Sequence, residues 1–156
     1  MSNENQDVNL LKKSKAVKEI PYAQIQVGDT ETFTRRVTNQ DVLDFASLTE
    51  DVNPIHIDDE FAKGTRFKER IAHGMLTASY ISTLLGTILP GKNALYLSQN
   101  CKFVAPVKIG DTIKVVGEVI KKRDDKKIIT VQTNIYNQKD QLVVEGTAVV
   151  MKNEQR

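Results

Sequence analysis

No charged residue stands between Gly74 and Leu89, and within that span Met75, Ala78, Ile81, Leu84, Leu85 and Ile88 recur at steps of three and four. An apolar face at that spacing predicts one long helix, stopped by Pro90-Gly91. Its polar residues, Thr77, Ser79, Ser82 and Thr83, carry no charge, so the helix is expected to be buried nearly all round. Directly after it the period changes to two. Leu95, Leu97, Gln99, Cys101 and Phe103 alternate, as do Ile113, Val115, Gly117 and Val119, then Ile129, Val131, Thr133 and Ile135. A last strand is expected from about Leu142 to Met151. Arg123-Asp-Asp-Lys126 and Asn137-Gln-Lys-Asp140 are polar turns between these segments, which makes successive strands antiparallel neighbours. The pattern is therefore α+β, an antiparallel sheet beside one long buried helix.

Upstream, Glu31 to Val37 suits a strand, and Thr38-Asn-Gln-Asp41 offers a hydroxyl cap with an acid three residues on, opening a short helix through Thr49. Residues 1–18 carry no periodicity and are expected to be a flexible polar tail, leaving one domain over residues 19–156. A chain of 156 residues can build a real core, but one short enough that a buried site would draw on a second subunit.

Lys+Arg 22 against Asp+Glu 20 gives a net charge of +2, too balanced for the basic footprint of a nucleic-acid binder. The one basic cluster, Lys12, Lys13, Lys15 and Lys18, falls in the polar opening segment and reads as solvated. Cys101 is the only cysteine and sits in an alternating apolar segment, so it reads as a packed thiol in a reducing compartment. No stretch is long and apolar enough for a membrane span, and no apolar signal segment opens the chain. A soluble, cytoplasmic protein is expected.

The chemistry is concentrated in Thr49-Glu-Asp51-Val-Asn53-Pro-Ile-His56. Were Asp51 to His56 helical, five steps of about 100° would point the two side chains apart. Pro54 disfavours helical geometry at Asn53, and the resulting bend can bring carboxylate and imidazole together, with Asn53 bonding local backbone groups. Such a pair can position and polarise a water for addition to an activated double bond, or for its removal. Charge developing on a carbonyl oxygen would then need backbone N–H donors, and His73-Gly74-Met75 opens the long helix. Gly74 has no side chain, so a carbonyl could approach its N–H closely. On spacing alone the same residues also describe an Asx turn and a packed histidine. His73 reads as a structural group at the helix start. With two histidines and one cysteine, no metal site is expected.

Phe45-Ala-Ser-Leu-Thr-Glu-Asp51-Val-Asn-Pro-Ile-His56, followed by Arg70-Ile-Ala-His-Gly-Met75, resembles the MaoC-like family of R-specific enoyl-CoA hydratases. The resemblance extends from about residue 20 to 152 and takes in Leu89-Pro-Gly91, the Phe103 to Pro106 strand end and Gly110-Asp111. It implies a hot-dog fold, in which an antiparallel sheet wraps a long central helix, and a homodimer or a higher oligomer of dimers. It implies reversible addition of water to a trans-2-enoyl-CoA, giving the 3R-hydroxyacyl-CoA, with CoA as part of the substrate and no other cofactor. Carried over by position, Asp51 and His56 hold the water, Asn53 orients it or the turn, and Gly74 supplies the oxyanion N–H. Ser82 and Leu85 are expected to border the acyl tunnel. Glu50 departs from the glycine that many members carry at that position. A 3-hydroxyacyl-thioester dehydratase working on acyl-carrier-protein substrates, a hot-dog thioesterase and a non-catalytic acyl-CoA-binding protein are the alternatives. Lys63, Arg66, Lys68 and Arg70 would form a basic rim for the phosphates of either carrier.

Overall fold

The computed structural model describes residues 3–153 and realises the change of period after Leu89 as a helix laid on a sheet. Along the chain, helix α1 (Asn3–Lys15) precedes strand β1 (Thr30–Arg36), then come helices α2 (Asn39–Thr49), α3 (Pro54–Ile57), α4 (Asp59–Lys63) and α5 (Gly74–Thr87). Strands β2 (Ala94–Phe103), β3 (Thr112–Arg123), β4 (Ile128–Tyr136) and β5 (Leu142–Lys152) complete the domain. The strands form one antiparallel sheet in the order β1-β3-β4-β5-β2, so β1 and β2 are its edges. Helix α5 packs against β1, β2, β3 and β5. This is the hot-dog arrangement.

The core lies where the alternation placed it. Ile113, Val115 and Val119 of β3 and Ile129, Val131 and Ile135 of β4 have no exposed surface, and Ile81, Leu84 and Leu85 of α5 close over them. A Cβ on Gly117 would collide with Leu84 Cδ2, so this glycine lets the helix seat directly on β3. The capping box of α2 forms as read: Asp41 N–H donates to Thr38 Oγ1 at 3.1 Å, and Thr38 N–H to Asp41 Oδ2 at 2.8 Å.

Three expectations are corrected. Helix α5 is not buried all round: Met75, Ser79, Ser82, Thr83 and Gly86 form an exposed, uncharged stripe at helical spacing. Strand β2 keeps neither a continuous alternation, because its register shifts between Tyr96 and Ser98, nor its burial. Leu95, Leu97 and Phe103 are about half exposed, because β2 is an edge that α5 covers only in part. In the opening segment, Asn3–Lys15 is helical where an unpatterned tail was expected. Leu10, Leu11, Lys12 and Lys13 are good helix formers, and lysines in the last turn suit the helix dipole. Residues 6–16 of that segment are exposed, and residues 1–2 lie outside the described residues.

Candidate active site

The two sequence blocks meet at the start of α5. Helix α2 stops at Glu50, which takes the left-handed conformation at φ 62°, the geometry that favours glycine at a helix end. The departure from glycine is therefore a strained residue directly before Asp51. Beyond it, Asn53 N–H donates to Asp51 Oδ1 at 3.3 Å, and Asn53 Oδ1 accepts from Ile55 N–H at 3.3 Å. Asn53 thus caps α3, with Pro54 in its first turn. The turn reading is realised: Asn53 holds the bend, and the bend turns His56 back toward Asp51. One carboxylate oxygen of Asp51 and one ring nitrogen each of His56 and His73 lie within 4.8 Å of one another.

His56 is half-buried, and its Nδ1 lies 2.7 Å from the carbonyl of Ile71. A carbonyl only accepts, so Nδ1 carries the proton and Nε2 is left with a lone pair. Burial pushes the His56 pKa below the ordinary 6.5, and neighbouring His73 pushes the same way. The Ile71 carbonyl and Asp51 oppose this without reversing it. The result is a neutral imidazole with a free lone pair beside a carboxylate, which is the state a general base needs.

A cavity of about 260 Å³ opens beside this pair, lined by His56, Gly74, Thr77, Phe103, Val107 and Val144 among others. Gly74 N–H stands at the first position of α5, where no intrahelical acceptor exists, and the helix dipole favours negative charge there. A Cβ here would come within 3.0 Å of the Phe103 ring, so the ring fills the space left open above Gly74.

The MaoC like domain profile matches residues 23–140 of this chain. The chain belongs to the MaoC-like family. It is 44% identical over 126 residues to the (R)-specific enoyl-CoA hydratase of Aeromonas caviae, covering 81% of this chain and 94% of that protein. It is 41% identical over 130 residues to the (R)-specific enoyl-CoA hydratase of Rhodospirillum rubrum, covering 83% and 90%. The unliganded R-hydratase PhaJ1 of Pseudomonas aeruginosa superposes with a TM-score of 0.84 at 42% identity, covering 88% of each chain.

Within this MaoC-like domain the remaining expected residues separate. His56 and Gly74 line the cavity, Asp51 stands beside His56 just outside the lining, Asn53 bonds the turn between them, and Ser82 and Leu85 do not line the cavity. Ser82 stands on the exposed stripe of α5, and Leu85 is sealed in the core at 1% exposure. Helical spacing puts them more than two turns beyond Gly74. The basic rim is also divided. Lys63 pairs with Glu60 at 2.6 Å and Arg70 with Asp59 at 2.8 Å, while Arg66 stacks 4.7 Å from the Phe67 ring and lines the cavity. Arg70 is a brace: Nη1 donates to the His56 carbonyl at 3.2 Å and Nη2 to Asn39 Oδ1 at 2.9 Å. The sequence also understated His73, whose partner is a backbone carbonyl that no side-chain pattern reports.

Asp51, His56 and His73 are also the one cluster of metal-ligating types among the described residues. His56 Nδ1 and His73 Nε2 each engage a backbone carbonyl, and the two rings overlap with centroids 4.0 Å apart and planes tilted by 32°.

Proposed function

We infer that this chain is an R-specific enoyl-CoA hydratase, a hydro-lyase that reversibly adds water to a trans-2-enoyl-CoA to give the 3R-hydroxyacyl-CoA. The observation that carries the reading is a neutral His56 with a free Nε2, close to the Asp51 carboxylate, opening on a cavity that also holds the unbonded end of α5 at Gly74.

In the forward direction the thioester carbonyl oxygen accepts the Gly74 N–H. As water attacks C3, the C2–C3 π electrons move toward the carbonyl and enolate charge gathers on that oxygen, where the helix end stabilises it. His56 Nε2 and Asp51 hold the water and take one of its protons, and a proton from the same pair reaches C2 on the same face. Water's oxygen ends on C3 and its two hydrogens are divided between that oxygen and C2, so no oxidant or further cofactor is consumed. Dehydration of the 3R-hydroxyacyl thioester is the reverse of each step. The 4.8 Å cluster makes the acid and base a coupled pair, so their titration belongs to the pair.

The exposed β2 edge, with Leu95, Leu97 and Phe103, and the uncharged stripe of α5 support a homodimer in which two copies extend one sheet across β2. Ser82 would then lie at the subunit boundary, the one setting in which it could border an acyl tunnel. The same reading places the enzyme in the cytoplasm; among the described residues no helix is long and apolar enough to cross a membrane.

Loss of enoyl-thioester absorbance on mixing with crotonyl-CoA tests the assignment. Wild type is expected to turn over, and Asp51→Asn and His56→Ala to slow it by about 10²–10⁴-fold. Equal rates in all three would remove the dyad mechanism. Binding without turnover would instead favour the non-catalytic acyl-CoA binder, release of free thiol a thioesterase, and turnover of acyl-carrier-protein thioesters alone the carrier-protein dehydratase.

A further inference from the structure

His73 is 1% exposed, yet its Nδ1 has no hydrogen-bond partner among the described residues. A buried unpaired nitrogen is unfavourable, and an apolar ring of similar size would fill the space beside Phe45, whose centroid is 4.9 Å away, without that penalty. Two contacts distinguish histidine from such a ring. Nε2 stands 2.9 Å from the Asp51 carbonyl oxygen and therefore donates its proton to it, while the face of the ring lies against His56 at 4.0 Å between centroids. The third connection is covalent: His73 is the N-cap of α5, and the next residue is Gly74. One side chain thus touches both members of the dyad and is one peptide from the oxyanion donor.

We propose that His73 is a positioning residue for hydration, fixing the separation between the Asp51–His56 pair and the Gly74 N–H. This rests on the hydratase reading. The reacting centres are two atoms apart in the substrate, with water bound at C3 and charge held at the thioester oxygen, so pair and donor must keep one spacing throughout the reaction. The loop carrying Asp51 is exposed and strained at Glu50, and it is attached to α5 at this point by the His73 bond. Without the bond, Asp51 and the helix end would move independently.

The groups around His56 are Asp51 from the loop, His73 from the start of α5, Arg66 on the cavity wall, and Arg70 on the His56 carbonyl with Asp59 as its partner. Removing the imidazole of His73 leaves the charges of the other four unchanged. A substitute that also loses the ring, as glutamine does, admits water to His56, whose displaced titration comes first from burial. The acid limb of kcat/KM should then move up toward the ordinary histidine value.

The experiment compares wild type, His73→Phe and His73→Gln in crotonyl-CoA hydration across pH, with thermal melts of each. The phenylalanine variant keeps the stack and loses the bond. It is expected to lose about 10–100-fold in kcat with KM within about threefold, the size of effect that a displacement near 1 Å produces. The glutamine variant keeps an N–H at the reach of Nε2 and is expected to regain part of kcat, with its acid limb raised because, unlike the phenylalanine variant, it has lost the stack. Should the phenylalanine variant fail to melt cooperatively, the glutamine variant decides through its pH profile. A folded His73→Phe enzyme with wild-type kcat overturns the inference while leaving the hydratase reading intact. A wild type inert toward enoyl thioesters overturns both.

Discussion

At the scale of single residues, the site works through backbone carbonyls as much as through side chains. The Ile71 carbonyl selects the His56 tautomer and the Asp51 carbonyl fixes His73, so the free lone pair of His56 is set by groups without sequence identity. The sign of the pH dependence follows. His56 has its pKa depressed below 6.5, so it stays neutral as the pH falls past 6.5 and charges only at the lower folded value. The stability associated with a neutral His56 is likewise complete above the unfolded value and lost as pH falls through the folded one. The acid limb of kcat/KM for crotonyl-CoA should therefore lie below pH 6.5. A limb above that value would contradict the burial argument. Asp51, Asn53, His56 and Gly74 were legible as types at a spacing. The Phe103 ring over Gly74 was not, because it comes from a strand distant in the sequence.

At the scale of elements, the decisive contact is α5 on β3. Gly117 interrupts the inward face of Ile113, Val115 and Val119, and the missing side chain is where Leu84 sits. Adding one methyl there should displace Leu84 and destabilise the domain by about 1–3 kcal/mol, the usual range for overpacking a close-packed core. Urea unfolding of Gly117→Ala against wild type reads this directly. An unchanged midpoint would mean that the helix can lift off the sheet freely. The same close seating orients the first turn of α5 at the cavity, so the variant should lower kcat through the Gly74 donor as well. Element types and most boundaries were readable from the change of period. The exposed stripe on α5 was not, because Ser and Thr suit a buried helix and an interface equally well.

At the scale of the whole molecule, an edge strand with half-exposed leucines and a helix face without charge are liabilities for a monomer. Both are explained if a second copy covers them, which closes the β2 edge and the α5 stripe together. Sedimentation should give about twice the 17.5 kDa of one chain. Leu97→Arg, which places a charge on the edge without touching Asp51, His56 or Gly74, should shift the mass toward one chain. A wild-type monomer, or a variant dimer as tight as wild type, would remove β2 as the contact. Helix α1 lies outside residues 23–140 that match the MaoC like domain, and along residues 6–15 it is exposed.

The sequence by itself determined the class of fold, through the uncharged helical run followed by alternating strands. It also determined the chemistry available, through an acid, a proline turn, a base and a glycine at a helix start. Those are local properties: period, turn geometry and residue type act within a few positions of one another. Only the tertiary structure decided that Leu85 belongs to the core and Ser82 to the surface, that Arg70 braces the His56 carbonyl, and that His73 bonds the Asp51 carbonyl from the start of α5. Each of these depends on which distant backbone group or ring arrives at a given point, and that is set by how α5 lies on the sheet.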